Sequence, residues 1–340
     1  MSGMTCPVAV LGAGSWGTAL AIHLGRLGVA ARLWGRDPAL VKEINDTREN
    51  SRYLPGIGVP ALVRATGEAE ETLSGAGLLL VAVPSRFVED VLGAMKGAIA
   101  PGAVLCSATK GLEPNGDRRI SVLLGDLLPR HPVAVLSGPS FAREVALGRP
   151  TALVIASADE YLALDLQRTL AAPAFRLYTN RDVVGVEIAA ALKNVMAIAT
   201  GLADGLELGE NARAALITRG LAEIARLGMA LGAQPTTFLG LAGLGDLVLT
   251  CTGSLSRNRT LGFEIARGRP LGDVERGTPM IAEGVATVSS ALTLARGVGV
   301  AMPICAEVGA VLFEGKPVRE AVQSLLSREP RPEEEGRSNP

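Results

Sequence analysis

The sequence has 340 residues, of which 48% are hydrophobic and 20% are charged. This composition supplies ample apolar material for burial, and the length is typical of two domains. The formal net charge of −1 argues against nucleic acid as the main partner, because no basic excess is available to neutralise phosphates.

No targeting or membrane segment is expected from the sequence. The longest apolar run, Leu78–Val83, is too short to span a bilayer, and no signal-like stretch precedes the first strand. We therefore expect a cytoplasmic protein without an integral membrane segment. With only two histidines, His23 and His131, no zinc cluster is expected. Four widely separated cysteines are expected to be reduced, apolar residues: Cys6, Cys106, Cys251 and Cys305.

The first predicted unit is a strand, Val8–Leu11, followed by a glycine-rich turn and a helical pattern over Ala19–Leu27. The glycines have G-x-G-x-x-G spacing, which is typical of dinucleotide binding when a strand precedes it and a helix follows. The first allows a tight turn, the second lets a pyrophosphate approach the backbone, and the third allows close packing of helix on strand. The alternative is an ordinary strand–turn–helix. The three are Gly12, Gly14 and Gly17.

The second unit carries a signal about the cofactor. A strand over Val29–Trp34 leads into Gly35 and Arg36, where NAD-selective folds place an acidic residue that binds the ribose 2′-hydroxyl. A guanidinium at this position would accept a 2′-phosphate, so NADP(H) is favoured or at least tolerated beside NAD(H). Asp37 is better explained as the cap of the next helix, with proline at the first helical position.

Further strands and helices alternate up to about residue 180, which predicts a doubly wound, mostly parallel sheet of Rossmann-like type. After that point only helices are predicted. We expect a dinucleotide-binding domain over 1–180, an all-helical substrate domain over 181–327 and a disordered tail over 328–340. The later strands are Gly77–Val83, Ala103–Ala108, Val133–Leu136, Ala152–Ala156 and Phe175–Tyr178. The helices are Phe87–Ile99, Ile120–Leu128, Asp159–Leu170, Val183–Leu202, Ala212–Leu231, Thr287–Gly297 and Ala306–Phe313.

A nicotinamide enzyme needs a group that takes or gives the hydroxyl proton, and the sequence leaves few candidates. One histidine falls on the first helix and the other precedes a proline, and no tyrosine has a lysine four residues on. Lysine remains. Lys110 follows a predicted strand at the carboxyl edge, where open α/β sheets bind ligands. Lys193 lies inside an apolar helix, where burial and a second lysine would lower its pKa; it could equally extend to solvent.

Three further segments carry polar groups suited to ligand binding. Gly240–Asp246 presents a carboxylate from a glycine-rich turn, which suits a cation or a hydroxyl, although a simple helix cap is an alternative. Ser254–Thr260 offers hydroxyl, guanidinium and amide groups near a predicted helix start, and thus either a phosphate site or a solvated turn. Ser137–Ala142 follows a strand and could present backbone N–H groups to a ligand.

Six motifs in order resemble the bacterial, NAD(P)-dependent type of glycerol-3-phosphate dehydrogenase. They extend from residue 8 to about 288, where the run Ile281-Ala-Glu283-Gly-Val-Ala-Thr ends the resemblance. The motifs are Gly-Ala-Gly-Ser-Trp-Gly-Thr-Ala, Ala-Thr-Lys110-Gly, Gly-Pro-Ser-Phe-Ala, Ala-Leu-Lys193-Asn194-Val, Gly-Leu-Gly-Asp246-Leu and Ser256-Arg257-Asn258-Arg259.

The resemblance implies a role for each matching residue. Lys193 is similar to the proton acceptor, and Asp246 to the acidic partner in the catalytic site. Lys110 matches a contact to both substrate and cofactor. The remaining substrate contacts implied are Gly138, Ser140, Ser256, Arg257 and Asn258, of which Arg257 also lies near the cofactor. The remaining nucleotide contacts implied are Ser15, Trp16, Arg36, Ala142, Ile281 and Glu283.

The implied reaction is reversible hydride transfer between sn-glycerol 3-phosphate and the nicotinamide, giving dihydroxyacetone phosphate. The biological direction implied is reduction, which supplies the backbone of phospholipids. A homodimer is expected. The alternatives are another lysine-dependent dehydrogenase of the 3-hydroxyacid or ketopantoate reductase type, and a dinucleotide-sensing module without turnover.

Overall fold

The computed structural model describes residues 6–114, 118–277 and 282–329. Its strands are β1 (Val8–Leu11), β2 (Ala31–Trp34), β3 (Glu49–Asn50), β4 (Leu54–Gly58), β5 (Val63–Thr66), β6 (Leu78–Val81), β7 (Val104–Ser107), β8 (Val133–Ser137), β9 (Thr151–Ala156) and β10 (Phe175–Asn180). The helices of the first half are α1 (Ser15–Arg26), α2 (Pro38–Thr47), α3 (Ala69–Leu73), α4 (Val88–Met95), α5 (Ile120–Leu127), α6 (Ala142–Ala146) and α7 (Glu160–Leu170). Those of the second half are α8 (Val183–Gly205), α9 (Glu210–Ala230), α10 (Pro235–Phe238), α11 (Asp246–Thr252), α12 (Arg257–Ala266), α13 (Leu271–Arg276), α14 (Glu283–Gly297), α15 (Pro303–Phe313) and α16 (Val318–Leu326).

Eight strands form one sheet in the order β10-β9-β8-β7-β6-β1-β2-β5. All neighbours are parallel except β8 and β9, which are antiparallel. The predicted α/β class, with a mostly parallel doubly wound sheet and a helical second half, is confirmed. Strand β1 lies between β2 and β6, so the direction of strand addition reverses there. Such a reversal opens a crevice at the carboxyl ends of the strands, where ligands bind in these sheets.

All seven predicted strands are present, with ends that differ by at most two residues, whereas the β3–β4 hairpin and the edge strand β5 were missed. The hairpin is short and contains Pro55 and two glycines, which are poor strand formers. Strand β5 has only four residues at the sheet edge. Neither element carries the continuous apolar run by which the buried parallel strands are recognised.

Beyond β10 the described residues contain no further strand. Helix α8 is the central helix of this half, and nearly every residue from Gly185 to Gly205 is buried. Its length and mean hydropathy of 1.6 would suffice for a membrane span, but 89% of its apolar window is buried within the fold. It is therefore the core helix of the second half. The domain limits at 180 and 327 stay a prediction, and residues 330–340 of the expected tail lie outside the described residues.

Glycines bring α8 and α12 into direct backbone contact. A Cβ atom at Gly201 would lie 2.0 Å from the carbonyl oxygen of Arg259, and one at Gly262 would lie 2.2 Å from that of Ile198. Neither distance is possible for a real side chain, so the two helices approach as closely as they do because both positions are glycine. The relative position of the two helices is thereby fixed by main chain.

Candidate active site

Three charged side chains from three separate elements meet at the carboxyl edge of the sheet. Lys110 follows β7, Lys193 lies in the middle of α8, and Asp246 is the first residue of α11. The two carboxylate oxygens of Asp246 accept hydrogen bonds from both lysines: Oδ1 from Lys193 Nζ at 2.6 Å, and Oδ2 from Lys110 Nζ at 2.9 Å. The Asp246 and Lys193 side chains are only 1% and 7% exposed. The predicted association of the two lysines is therefore present, with a carboxylate between them.

The burial of Lys193 decides between the two interpretations of its place in an apolar helix. Its neighbours on α8 are buried on all sides, so the side chain does not extend to solvent. Its amine also donates to Thr250 Oγ1 at 3.0 Å. Thr250 was missed from the sequence, although it lies one helical turn after Asp246 and so shares its face of α11.

The electrostatic surroundings of Lys193 suit a proton acceptor. Burial lowers the pKa of its amine to about 7, because a charged group loses hydration inside the protein. The Asp246 carboxylate opposes this shift, whereas the Lys110 cation adds to it. A lysine whose pKa lies near neutrality can both take and give a proton at the pH of the cell.

Lys110 connects the separate parts of the site. Its amine donates to the carbonyl oxygen of Gly138 at 2.7 Å and to Ser140 Oγ at 2.9 Å, in addition to Asp246. It also lies 5.8 Å from the centre of the Trp16 ring, within the range of a cation–π interaction. The structure thus brings together the glycine loop, the segment after β8 and the segment after β7, which the sequence could only assign to one edge.

The glycine loop has the geometry that dinucleotide binding requires. A Cβ at Gly12 would lie 2.8 Å from the Ala82 carbonyl oxygen, and one at Gly17 would lie 1.9 Å from that of Gly12, so both are sites of close packing. At Gly14, by contrast, the same position faces open space. No side chain caps the N-terminus of α1. The loop therefore fits a nicotinamide dinucleotide, whose phosphates would approach Gly14 and the positive end of the helix.

The other predicted nucleotide contacts surround the same crevice. Ser15 and Trp16 open α1, and Ala142 opens α6. Glu283, the first residue of α14, accepts from the Ser85 N–H at 3.2 Å and from Ser85 Oγ at 2.7 Å, which joins the helical half to the end of β6. Ser85 was missed. The predicted contact Ile281 lies outside the described residues.

Arg36 is exposed at the end of β2, with its guanidinium 5.1 Å from the centre of the Phe87 ring. Asp37 caps α2 through a 3.0 Å hydrogen bond from the Ala39 N–H, as predicted, and also pairs with Arg52 at 3.0 Å. Both carboxylate oxygens of Asp37 are thus engaged within the protein. The surface at this end of the crevice carries a positive charge.

The Ser256–Asn258 segment is the start of α12, as predicted, but its polar side chains have different surroundings. Ser256 Oγ caps the helix by accepting from the Arg259 N–H at 3.3 Å. The Asn258 amide donates to Asn194 Oδ1 at 3.0 Å and accepts from the Gly284 N–H at 3.0 Å. Both are buried, and both hold backbone in place.

Arg257, by contrast, is exposed at the helix start. Among residues 6–114, 118–277 and 282–329 the structure gives it no hydrogen-bond acceptor and no direct ion pair, although the Glu283 carboxylate interacts with its charge at longer range. Its guanidinium is the group of this segment that remains available to an anion.

Asn194 links these segments to the lysine pair. It follows Lys193 on α8 and donates through Nδ2 to the carbonyl oxygen of Lys110 at 2.9 Å, while it accepts from Asn258. A chain of side-chain amides therefore runs from the segment after β7, through α8 and α12, to the N-terminus of α14. Although the sequence motif contains Asn194, no role for it was predicted.

The residues that were excluded as bases lie elsewhere. His23 is buried in α1 with Nε2 2.7 Å from the Leu170 carbonyl oxygen, and His131 Nδ1 lies 2.9 Å from that of Ala103. In the part of the chain that the structure describes, no group of three or more His, Cys, Asp or Glu residues could hold a metal ion. The four cysteines are free thiols, three of them buried and Cys6 exposed.

The doubly wound sheet carries an open glycine loop beside a buried lysine, which a carboxylate from the helical half holds in place. This combination defines the class of nicotinamide-dependent dehydrogenases. Residues 7–163 match the N-terminal family model of NAD-dependent glycerol-3-phosphate dehydrogenase, and residues 182–323 match its C-terminal model. The chain belongs to the NAD-dependent glycerol-3-phosphate dehydrogenase family, an oxidoreductase family that uses NAD or NADP.

Individual relatives agree over almost the whole chain. The glycerol-3-phosphate dehydrogenase (NAD(P)+) of Geobacter sulfurreducens is 51% identical over 325 residues, which cover 95% of this chain and 97% of that protein. The enzyme of the same name from Nitratidesulfovibrio vulgaris strain Hildenborough is 50% identical over 96% of this chain and 99% of its own. A crystal structure of the Coxiella burnetii glycerol-3-phosphate dehydrogenase is 41% identical, has a TM-score of 0.92 and covers 95% and 99% of the two chains. These similarities do not favour a 3-hydroxyacid dehydrogenase, a ketopantoate reductase or a sensing module.

Proposed function

We propose that the chain interconverts sn-glycerol 3-phosphate and dihydroxyacetone phosphate by reversible hydride transfer with NAD(H) or NADP(H). The observation that carries this proposal is the buried Lys193–Asp246–Lys110 cluster beside the glycine loop. Arg257 is exposed at the start of α12, where the next residue, Asn258, bonds to Asn194 beside Lys193. The cluster supplies proton transfer at an alcohol carbon, and the guanidinium supplies recognition of a phosphate. Together they match the two ends of the substrate.

Substrate binding begins with the phosphate in this proposal. The Arg257 guanidinium can present two N–H donors to phosphate oxygens, and the N-terminal end of α12 adds its positive dipole. Ser256 and Asn258 contribute by holding the first turn of that helix in place. Lys110, with Gly138 and Ser140, holds the polyol end beside the sheet edge.

Proton transfer is assigned to Lys193. In the oxidation of the alcohol its neutral amine takes the proton of the C2 hydroxyl, and in the reduction of the ketone its ammonium returns a proton to the C2 oxygen. Asp246 acts as a positioning residue, since its two oxygens fix the amines of both lysines. Thr250 accepts from the same amine, so two of the three N–H positions of protonated Lys193 are held and the third can face substrate.

The cofactor would be held by the glycine loop (Gly12, Gly14 and Gly17), with Ser15, Trp16, Arg36, Lys110, Ala142, Arg257, Ile281 and Glu283 around it. When bound, the nicotinamide supplies or accepts the hydride at C2. The chain itself orients the substrate carbon and supplies the proton.

The proposed reaction is tested directly by the absorbance of NADPH and NADH after dihydroxyacetone phosphate is added to the purified protein. We expect oxidation of the reduced cofactor that requires both protein and substrate. Pyruvate and ketopantoate serve as controls that carry a carboxylate in place of the phosphate. No oxidation of either cofactor with dihydroxyacetone phosphate would refute the proposal.

The pH dependence of the two directions is expected to differ in sign because the pKa of Lys193 is about 7. Reduction needs the ammonium form, so its kcat/KM should be constant below pH 7 and fall tenfold per pH unit above it. Oxidation needs the neutral amine, so its kcat/KM should rise up to pH 7 and then level off. Parallel profiles for the two directions would contradict the assignment of Lys193.

Replacement of Arg36 by alanine is expected to raise the KM for NADPH about tenfold and to change the KM for NADH less than twofold, because only NADPH carries the 2′-phosphate. Arg64→Ala is the matched control. Arg64 lies on the neighbouring edge strand β5, pairs with Glu71 and is also exposed. Steady-state kinetics with each cofactor measure the effect, and equal losses for both cofactors would remove Arg36 from selectivity.

We further propose a dinucleotide domain over 1–180 and a substrate domain over 181–327, on the ground that β10 ends at Asn180 and α8 begins at Val183. We also propose that the protein is cytoplasmic, forms a homodimer and does not bind nucleic acid. Its reaction would supply glycerol 3-phosphate for phospholipid synthesis. The net charge of −1 supports the absence of nucleic acid. Light scattering of the purified protein tests the dimer.

A further inference from the structure

The β3–β4 hairpin places one polar side chain directly beneath the glycine loop. Asn50 is fully buried. Both N–H groups of its side-chain amide donate hydrogen bonds, and its oxygen accepts one of the two that it could accept. Its Nδ2 group donates to the carbonyl oxygen of Ala13 at 2.9 Å and to Thr18 Oγ1 at 2.8 Å. Its Oδ1 accepts from the Tyr53 N–H at 3.1 Å, which fixes the amide within the hairpin.

The bond to Ala13 decides the direction of the next peptide N–H. In a trans peptide the carbonyl and the N–H point in opposite directions. Because Asn50 holds the Ala13 carbonyl on the inner side of the loop, the Gly14 N–H points outward. Among the described residues nothing accepts a hydrogen bond from that N–H, and the space at Gly14 is open.

The hydrogen bond to Thr18 connects Asn50 to the first turn of α1 as well. Thr18 is fully buried, and its own N–H donates to the Gly14 carbonyl oxygen at 3.0 Å. Asn50 therefore holds both ends of the turn between β1 and α1. The hairpin is itself anchored to α6, since Arg143 on that helix donates to the Pro55 carbonyl oxygen at 2.9 Å.

We propose that Asn50 is a positioning residue for the cofactor, which aims the Gly14 N–H at the pyrophosphate by holding the Ala13 carbonyl. The proposal rests on the dinucleotide site of the proposed function. A loop whose N–H is already aimed does not have to be ordered when the anion binds, so affinity is gained through preorganisation. Asn50 touches neither substrate nor reacting atoms, and its loss should weaken cofactor binding and leave the chemical step intact.

Asn45 provides a matched control within the same region. It lies on α2, and its side-chain amide likewise makes two backbone hydrogen bonds, with Ala65 O at 2.8 Å and Ala65 N at 2.9 Å. These bonds hold the edge strand β5 and do not reach the glycine loop. Asn45 is partly buried, whereas Asn50 is fully buried. A purely structural role of a side-chain amide that holds backbone would be lost in both variants.

The test compares Asn50→Ala and Asn45→Ala by titration of NADPH fluorescence, without substrate, and by steady-state kinetics. We expect the Kd for NADPH to rise about tenfold in Asn50→Ala and less than twofold in Asn45→Ala. At saturating NADPH, kcat and the KM for dihydroxyacetone phosphate should stay within twofold of the unsubstituted protein. Unchanged affinity in Asn50→Ala, or equal losses in both variants, would overturn the proposal.

Asn50→Ser is the second variant if alanine prevents folding, since it removes the amide donors and leaves a smaller gap. Hydrogen exchange of the unsubstituted protein gives an independent measurement. The Gly14 amide should exchange fast without cofactor and become protected by NADPH, and protection without cofactor would contradict the outward orientation. Failure of the proposed function is distinguishable, because NADPH binding and turnover of dihydroxyacetone phosphate are measured separately in the unsubstituted protein.

Discussion

Replacement of Lys193 by methionine is expected to lower kcat about a thousandfold in both directions while the Kd for NADPH stays within twofold, because general acid–base catalysis typically contributes two to four powers of ten. Methionine fills most of the space of the lysine side chain without a charge. Asp246 keeps its 2.9 Å bond to Lys110, so the substitution leaves no unpaired buried carboxylate. Stopped reactions with product analysis measure the residual turnover.

The control for this substitution is Lys316→Met. Lys316 is a partly buried lysine of the helical half, and it pairs with Glu307 at 2.7 Å away from the site. We expect its kcat to be unchanged. Addition of methylamine to Lys193→Ala should restore part of the activity, because a free amine can occupy the space of the lost one. Retention of more than a tenth of kcat in Lys193→Met would remove the proton-transfer role.

Replacement of Arg257 by alanine is expected to lower kcat/KM for dihydroxyacetone phosphate at least a hundredfold, mainly through KM. Loss of charge-assisted hydrogen bonds to a phosphate costs about 3 kcal/mol, which corresponds to this factor. The slow reduction of dihydroxyacetone itself, which lacks the phosphate, should change less than threefold. Comparison of the two substrates therefore separates phosphate recognition from a general disturbance of the site.

Arg267→Ala is the control for Arg257. Arg267 follows the last residue of the same helix, is exposed, and pairs with Glu207 at 2.6 Å. Its removal should leave both substrates unaffected. An unchanged KM for dihydroxyacetone phosphate in Arg257→Ala would refute the phosphate role of α12.

The buried elements could be predicted from the sequence because they carry long apolar patterns. Strands such as Leu78–Val81 and the helix around Lys193 are recognisable from composition alone, and the glycine loop from its spacing. Elimination of the other bases left the lysines, and the family resemblance then implied the roles of Lys193, Asp246 and Arg257. Residue patterns had left open whether Lys193 is buried or solvated, and only the packing of α8 answers that question.

What the sequence did not reveal are contacts between segments far apart in the chain. Asn50 lies in a hairpin without an apolar pattern, and its bond to Ala13 joins residues 37 positions apart. Thr250 acquires its role only when α11 packs against α8, and Asn194 only when α8 packs against α12 and the segment after β7. Such hydrogen bonds depend on tertiary geometry, for which local propensity gives no signal.

The direct backbone contact between α8 and α12 fixes the separation of the backbone positions that carry Lys193 and Arg257. Lys193 lies two turns before Gly201 on one helix, and Arg257 lies two residues before Arg259 on the other, whose carbonyl oxygen faces that glycine. The separation of these two backbone positions is therefore set by main-chain contact. Exchanging one side chain for a smaller one cannot increase it. Any larger residue at Gly201 or Gly262 would push the two helices apart. Under the proposed function, a larger separation between the proton-transferring amine and the phosphate-binding guanidinium would therefore require the two helices to be repacked.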